Sequence, residues 1–299
     1  MIAIVIPYYK IEYFEECLQS LANQSNKDFN VYIGNDNSPE NPLPIIRKYE
    51  NLLNITYHKF DNNIGGESLT LHWNRCLELV NGEVWAMLLC DDDMLTKNVI
   101  DDFYSNIQAI QAANISVIKY STREINENTE FISKPYTHPV IQSYEEVFVN
   151  RFFGGSRSSL SEHIFLLSQY KKKGFRDLEL AWHADDLAWL EFSDFGEIYT
   201  INSSLIYFRV SPHNISRPNH LQDKKRELSY NFYTIIINEY INCFNKTVAK
   251  KILKKYELMT YELDRSTMRF WFNHISYIFK YFNFLEIIKF SRRVFINRK

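Results

Sequence analysis

Short apolar segments alternate with amphipathic segments of helical period through the first 120 residues, and this alternation limits the possible folds most. Residues 2–6 form a β-branched run that ends at Pro7, and residues 84–89 are apolar up to a cluster of carboxylates. Apolar runs without polar alternation are typical of strands buried on both faces. Strands that alternate with helices at this spacing predict an α/β fold with a mostly parallel, Rossmann-like sheet flanked by helices.

The pattern also predicts where the chain divides. Apolar runs predict strands at residues 2–6, 30–34, 55–60, 84–89 and 115–120, and helices at residues 12–21, 43–49, 67–79 and 97–113. Beyond residue 120 the signal weakens, although residues 180–192 have helical period and residues 198–210 contain strand-like segments. The chain after Leu221 is helical in pattern and rich in aromatic residues. We therefore expect a catalytic α/β domain of residues 1–220 and a helical C-terminal extension of residues 221–299.

Polar side chains follow three of the predicted strands. Asp36 follows the second strand, Asn63 the third, and Asp91, Asp92 and Asp93 the fourth. In an open α/β sheet, ligands bind beyond the carboxyl ends of the strands. The sequence therefore predicts that these side chains meet at one edge of the sheet and form a ligand site there.

The consecutive acids Asp91, Asp92 and Asp93 are the strongest single motif. Three neighbouring carboxylates repel one another, and a cation relieves that repulsion. Hard divalent ions such as Mn²⁺ or Mg²⁺ prefer carboxylate oxygens and keep coordination positions open for phosphate oxygens. The motif predicts a metal held against a diphosphate; the alternative is a helix N-cap followed by first-turn acids.

Other carboxylates are candidates for binding and catalysis. Asp36 can accept a hydrogen bond from a nucleotide, or it can form an ordinary turn. In the pair Asp185-Asp186, one acid beside another in a partly apolar pocket can serve as a general base, whereas judged alone the pair suits a solvated helix face. Glu162 and His163 are weaker candidates for acceptor contact, and a histidine without a ligand role is the favoured interpretation there.

Composition excludes several classes of protein. Hydrophobic residues make up 45% and charged residues 23% of the 299 positions, as in soluble globular proteins. The four cysteines lack the spacing of a zinc site or a disulfide framework. The N-terminus has no basic region before its apolar run, and no run reaches the roughly 18 apolar residues of a spanning helix. We expect a cytoplasmic protein with reduced thiols.

The net charge of −2 is unevenly distributed. Residues 246–299 contain 13 Lys or Arg and 4 Asp or Glu, which leaves 21 basic and 32 acidic residues in the remainder. A basic tail on an acidic body favours an anionic partner for the tail and disfavours nucleic acid as a partner of the whole. Because the tail is also aromatic, it suits peripheral contact with the inner face of a membrane. The alternative is a set of helices packed on the first domain.

Several motifs occur in the order and spacing of a known family across residues 1–215. They are the segment IAIVIPYYKIEYFEECLQSLANQSNKDF, Asn35-Asp36-Asn37-Ser38, Asp61-Asn62-Asn63-Ile64-Gly65, Gly82-Glu83 before Asp91-Asp92-Asp93, Asp185-Asp186, and Tyr207-Phe208-Arg209 followed by Ile215-Ser216. Together they resemble the inverting glycosyltransferases of family 2, whose catalytic domain has the GT-A fold.

This resemblance implies a role for each matching position. Pro7, Tyr8 and Asp36 line the nucleoside pocket, Asn63 lies in the matching turn, and Asp91 approaches the ribose or the sugar. Asp92 and Asp93 hold Mn²⁺ or Mg²⁺. Asp186, or Asp185 as the second choice, deprotonates the acceptor.

The chain departs from the family pattern at three positions. Asn35 replaces an acid, which weakens any statement about how uracil is held. Trp73 replaces a common Arg, so a phosphate contact is in doubt. Ser211 replaces a His found near the metal in some members, and His213 is a substitute only with shifted spacing.

The implied activity is transfer of a sugar from a nucleotide-diphosphate sugar, with a UDP-sugar favoured, to an acceptor hydroxyl with inversion. The acceptor is expected to be a glycan or a lipid-linked molecule in surface polysaccharide or glycan biosynthesis.

Two alternative functions stay open. One is a non-catalytic nucleotide- or glycan-binding module on the same fold. The other is a nucleotidyltransferase, which is disfavoured because Pro7-Tyr8-Tyr9 stands where a Gly-rich phosphate loop is expected.

Overall fold

The computed structural model describes residues 1–211 and 221–297. The chain divides into two units, Met1–Arg217 and Pro218–Lys299. In the described part of the first unit, nine strands form one sheet: β1 Ile2–Tyr8, β2 Phe29–Asn35, β3 Ile55–Lys59, β4 Trp85–Leu88, β5 Met94–Leu95, β6 Val117–Ile125, β7 Ile141–Ser143, β8 His163–Leu166 and β9 Glu197–Arg209. Their order is β3-β2-β1-β4-β8-β6-β9-β5, with β7 paired to β9.

Helices flank this sheet. They are α1 Phe14–Ala22, α2 Leu43–Tyr49, α3 Leu69–Leu77, α4 Val99–Ala112, α5 Tyr144–Phe153, α6 Leu167–Lys173 and α7 Ala184–Phe192. Strands β3, β2, β1 and β4 are parallel, and β6 is parallel to β9, whereas β8 is antiparallel to both its neighbours. The predicted mostly parallel sheet flanked by helices is confirmed.

The first strand shows why the sheet is covered on both faces. Ile2, Ile4 and Ile6 belong to one apolar cluster, and Ala3 and Val5 belong to another. Successive side chains of a strand point to opposite faces, so an unbroken apolar run needs packing on each side. Helices α1 and α4 contribute to the first cluster, and α3 and α7 contribute to the second.

The sequence pattern placed several boundaries wrongly. The fifth predicted strand, residues 115–120, is β6 over Val117–Ile125, because polar residues beyond Tyr120 are paired against β9 rather than exposed. The helix predicted over residues 180–192 begins only at Ala184, because Leu180, Ala181 and His183 have positive φ angles of 57°, 50° and 64°. The antiparallel insertion of β8 was not predicted.

The described part of the second unit is helical. It contains α8 Gln222–Ile235, α9 Lys246–Glu262, α10 Met268–Tyr281 and α11 Phe284–Asn297. Side chains cap three of these helices: Asn245 accepts from the Thr247 and Val248 amides, Thr267 accepts from the Phe270 amide, and Asn283 accepts from the Glu286 amide. Within residues 1–211 and 221–297, no helix is both long enough and apolar enough to cross a membrane.

Candidate active site at the carboxyl edge of the sheet

The loops after β1, β2 and β4 meet at one edge of the sheet. The amide of Asp36 donates to the Tyr8 carbonyl at 3.0 Å. The amides of Tyr9 and Lys10 both donate to Asp91 Oδ2 at 2.9 Å. Parallel strands β2, β1 and β4 bring their carboxyl ends together, and these bonds join the loops that follow. The structure thus brings Asp36 and the triplet of acids to the same edge.

Asp36 holds the turn after β3. Its Oδ1 accepts from the Ile64 amide at 3.0 Å, and its Oδ2 accepts from the Gly65 amide at 2.8 Å. The guanidinium of Arg75 on α3 also pairs with this carboxylate, which is almost fully buried. Burial raises the pKa of Asp36, while these amides and Arg75 oppose the shift. Asp36 is therefore a fixed group that determines the position of residues 63–65.

Residues beside Asp36 fix the shape of the same turn. Asn63 Oδ1 accepts from the Gly66 amide at 2.9 Å. A Cβ atom added at Gly65 would lie 2.4 Å from Asp36 Oδ2, so the close approach of this backbone requires glycine. Arg75 stacks on Phe60 with its central carbon 3.9 Å from the ring centroid. The turn and α3 thus form one connected wall of the site.

Pro7 and Tyr8 end strand β1. Pro7 is half-buried. Tyr8 is fully buried, its ring lies 4.6 Å from that of Phe14, and burial raises its pKa to about 12. The phenol is therefore neutral at physiological pH and supports the loop from the core side.

The triplet Asp91, Asp92 and Asp93 lies just beyond β4. Burial and the charge of Asp92 raise the pKa of Asp91 to about 7. Burial and the charge of Asp93 raise the pKa of Asp92 to about 7 as well. Burial raises the pKa of Asp93 to about 6, although the neighbouring Ser161 hydroxyl and the Arg209 amide oppose this shift. Because the acids destabilise one another's charged forms, a cation at this position would relieve an existing repulsion.

The donor atoms of the triplet fit a hard divalent cation. Carboxylate oxygens of Asp92 and Asp93 lie within 4.8 Å of each other and of the Cys90 thiol. Asp93 Oδ1 accepts from the Arg209 amide at 2.9 Å, and its buried Oδ2 accepts no hydrogen bond from the described residues. Burial holds the pKa of Cys90 well above its usual value, so that thiol stays protonated and is a poor ligand for Mn²⁺ or Mg²⁺. Asp92 and Asp93 are therefore the suitable ligand pair, whereas Asp91 is directed to the β1 loop.

Arg209 joins the end of β9 to the triplet. This fully buried side chain donates from Nε to the Asp92 carbonyl at 3.0 Å and from Nη2 to Glu16 Oε2 at 2.7 Å. Its guanidinium also lies over the Tyr13 ring, 4.1 Å from the centroid. The arginine thereby fixes the triplet from the protein side. It is the last residue of the Tyr207-Phe208-Arg209 motif; the later motif residues Ile215 and Ser216, and also His213, lie outside the described residues.

Asp186 lies in the first turn of helix α7 and is ion-paired. Arg151 Nε lies 3.0 Å from Asp186 Oδ1, and His183 Nδ1 lies 2.8 Å from Oδ2. Although burial alone would raise it, Arg151 and His183 hold the pKa of Asp186 well below its usual range. Burial and the charge of Asp186 raise the pKa of the adjacent Asp185 to about 7. The two neighbouring acids therefore differ strongly in basicity.

Residues 160–166 connect the triplet with α7. The Ser161 hydroxyl accepts from the Cys90 amide at 3.0 Å, and the ring of His163 stacks on Trp189 of α7 at 4.2 Å. Between them, the fully buried Glu162 pairs with Lys119 and Arg157, each at 3.2 Å. Glu162 and His163 are thus parts of a buried network that links the two acidic centres.

Three departures from the family pattern have structural counterparts. The Asn35 side chain bonds the Tyr57 hydroxyl at 2.8 Å and accepts from the Ser38 amide at 2.8 Å. Trp73 packs edge-on against Phe175 at 5.5 Å, and the cation of α3 that reaches the site is Arg75. Ser211 is buried. The sequence pattern did not single out Arg75, Arg151 and Arg157. The spacing of apolar residues along the chain does not indicate which distant carboxylate a given arginine will pair with.

A mostly parallel sheet with acidic groups beyond β2 and β4, and a further acidic pair at the start of α7, defines a GT-A-like protein. The model of the family described as Glycosyl transferase family 2 matches residues 3–169, which is more than half of the chain. The chain belongs to this family.

Several known proteins with a similar sequence or fold come from Staphylococcus aureus. Poly(ribitol-phosphate) beta-N-acetylglucosaminyltransferase TarS, from strains Mu50 and MW2, is 31% identical over 103 residues, which are 33% of this chain and 18% of TarS. The crystal structure of TarS 1-349 in complex with UDP-GlcNAc has a TM-score of 0.67 at 18% identity, covering 87% of this chain and 72% of that one. The complex of TarS 1-349 with UDP has a TM-score of 0.62 at 20% identity, with the same coverage. The sequence match spans less than a fifth of the length of these curated relatives.

Proposed function

We propose that this chain is a metal-dependent inverting glycosyltransferase that moves one sugar from a UDP-sugar to an acceptor hydroxyl in surface polysaccharide or glycan biosynthesis. The acidic triplet beside the β1 loop supports this proposal most directly, because it can receive a diphosphate at the edge where α/β sheets bind ligands. Family membership supports it as well. The structural neighbours with bound UDP-GlcNAc and UDP suggest the nucleotide.

In the proposed donor site, residues 1–220 form the catalytic domain. Pro7, Tyr8, Asp36 and Asn63 shape the nucleoside end, and Asp91 orders the β1 loop next to the ribose and the sugar. Asp92 and Asp93 hold Mn²⁺ or Mg²⁺, which when bound neutralises charge on the diphosphate leaving group.

In the proposed transfer step, Asp186 accepts the proton of the acceptor hydroxyl. The acceptor oxygen then forms a bond to the anomeric carbon while the bond from that carbon to the diphosphate oxygen breaks. One base is sufficient, because a direct displacement inverts the configuration and needs no covalent sugar intermediate. Asp185 is the competing assignment, since its pKa of about 7 suits a general base and Asp186 is held by Arg151 and His183.

The proposed acceptor is a glycan or a lipid-linked molecule, and the helical extension of residues 221–299 is proposed to contact a membrane surface where such an acceptor is found.

A panel of nucleotide sugars, tested with and without Mn²⁺, examines the donor half of this proposal. We expect one UDP-sugar to raise the melting temperature and to be slowly hydrolysed only with the cation. Stabilisation by every nucleotide sugar alike, without dependence on the cation, would contradict the proposal.

A further inference from the structure

An exposed apolar stripe runs along α10. Met268, Phe272, Ile275 and Phe279 are 59%, 81%, 41% and 64% exposed. Their spacing of four, three and four residues places them on one side of the helix over about 16 Å. Exposed single apolar residues are ordinary, whereas an aligned set of large ones marks an interaction surface.

The stripe is separate from the face by which α10 packs inside its unit. Trp271 and His274 are buried, and their rings lie 5.4 and 5.9 Å from the ring of Phe290 on α11. Around the helix, Trp271 lies about 80° and His274 about 140° from Phe279. The helix therefore has an inner apolar face that is already packed and an outer apolar face that is exposed.

Helix α11 repeats this arrangement with cations in the same face. Leu285, Ile288 and Ile296 are 67%, 52% and 68% exposed. Lys289 and Arg292 are exposed; on the helical projection Arg292 falls between these apolar residues and Lys289 lies beside them. Apolar side chains flanked by Lys and Arg on one side of a helix are typical of helices that lie in the interface of a bilayer.

The charge of the two helices favours an anionic surface. Residues 268–297 contain five Lys or Arg and one acid, Glu286. That acid is already paired with Lys250 at 2.6 Å and Lys254 at 3.5 Å. A symmetric contact between two copies through this face would place like charges together, which is unfavourable. Anionic lipid headgroups supply the opposite charge, and the acyl boundary accepts the aromatic side chains.

We propose that the exposed faces of α10 and α11 dock on an anionic lipid bilayer, with Phe272 and Phe279 inserted and Lys280, Lys289 and Arg292 against the headgroups. This proposal names the residues of the membrane contact that the proposed function includes. It rests on the proposed function only in one respect, namely that the contact brings the protein close to a lipid-linked acceptor. Arg298 and Lys299, which extend the basic tail, lie outside the described residues.

Flotation of the full chain with phosphatidylcholine vesicles, with and without phosphatidylglycerol, tests the proposal. We expect binding to the anionic vesicles and a loss of about tenfold or more in partition for the double variant Phe272→Gln/Phe279→Gln. Lys280→Ala/Lys289→Ala/Arg292→Ala should remove the preference for the anionic lipid. The matched control Leu52→Gln/Val84→Gln, which changes two exposed apolar residues of the first unit, should bind like the unaltered chain.

Hydrogen–deuterium exchange of the unaltered chain is a second measurement, and it needs no variant. We expect the backbone amides of α10 and α11 to become protected from exchange when anionic vesicles are added. Absence of vesicle binding, or equal binding by the double variant, would overturn the proposal. Self-association in analytical ultracentrifugation that the double variant abolishes would assign the face to a second copy instead. UDP-sugar binding, measured on the same samples without lipid, separates a failure of this inference from a failure of the proposed function.

Discussion

Arg151 contacts both carboxylate oxygens of Asp186, from Nε to Oδ1 at 3.0 Å and from Nη2 to Oδ2 at 3.3 Å. His183 adds a third contact to the same group. Asp185, one position earlier, has its pKa shifted in the opposite direction, to about 7. Adjacent residues of a helix point about 100° apart, so the two acids cannot face one acceptor equally. This difference makes the proposed base testable.

We expect Asp186→Asn to keep nucleotide affinity while lowering transfer by about 10² or more, the range of general-base catalysis. The donor site should be unaffected because the base acts only on the acceptor. Asp185→Asn is the matched control, and a larger loss in that variant would exchange the two assignments. Full transfer activity in both variants would place the base outside this pair.

The pH dependence of kcat/KM distinguishes the same two acids. A base must be deprotonated, so activity falls as the pH drops through its pKa. With Asp186 as the base, whose pKa is well below the usual range, the unaltered enzyme should keep its activity through neutral and mildly acidic pH. Arg151→Met removes the nearby positive charge, raises the pKa of Asp186 and should move the acidic limb to higher pH.

An acidic limb near pH 7 in the unaltered enzyme would instead favour Asp185. Nucleotide affinity measured across the same pH range is the control, because protonation of the triplet would also weaken donor binding. Steady-state kinetics with the cation held at saturation provides the comparison.

Much of the fold was predictable because its signal is local. The apolar strands β1 and β4 and the acids after them are continuous in sequence, so the parallel half of the sheet and its acidic edge follow from pattern alone. The partners of Asp186 do not. Arg151 is 35 positions away on α5, and the ion pair depends on the antiparallel insertion of β8 and on positive φ angles before α7. Such contacts are determined by tertiary packing and not by periodicity.

Asp36 poses a separate question, whether it contacts the nucleoside or only holds the turn after β3. Asp36→Ala should weaken nucleotide binding by about 1–3 kcal/mol, the cost of losing a partner in a buried hydrogen bond. Gly65→Ala disturbs the same turn and keeps the carboxylate, because its Cβ would press against Asp36 Oδ2. If calorimetry shows that Asp36→Ala loses more nucleotide affinity than Gly65→Ala, direct contact between Asp36 and the nucleoside is supported. Equal losses would leave Asp36 with the role of fixing the turn, and no loss would exclude both.

Arg209 should be important for stability as well as for the position of the triplet. Arg209→Met leaves the Asp92 carbonyl without its donor, whereas Glu16 is 39% exposed and can be solvated, so we expect a loss of about 1–3 kcal/mol in the free energy of unfolding. Lys48→Met is the control, because Lys48 pairs with Glu15 on the exposed surface and its loss should leave the midpoint of urea unfolding nearly unchanged. Equal midpoints for the two variants would show that the Arg209 contacts do not stabilise the fold.

The most direct test of the central proposal follows the phosphorus atoms of a UDP-sugar by ³¹P NMR, with Mn²⁺ replaced by Mg²⁺ to avoid paramagnetic broadening. We predict that the enzyme converts UDP-GlcNAc or a related UDP-sugar to UDP, by transfer or by slow hydrolysis. A chelator or the substitutions Asp92→Ala and Asp93→Ala should abolish this conversion. A donor that binds but stays intact across the panel of UDP-sugars and acceptors would indicate a non-catalytic module. Appearance of UTP when pyrophosphate is added would indicate a nucleotidyltransferase, and either result would contradict glycosyl transfer.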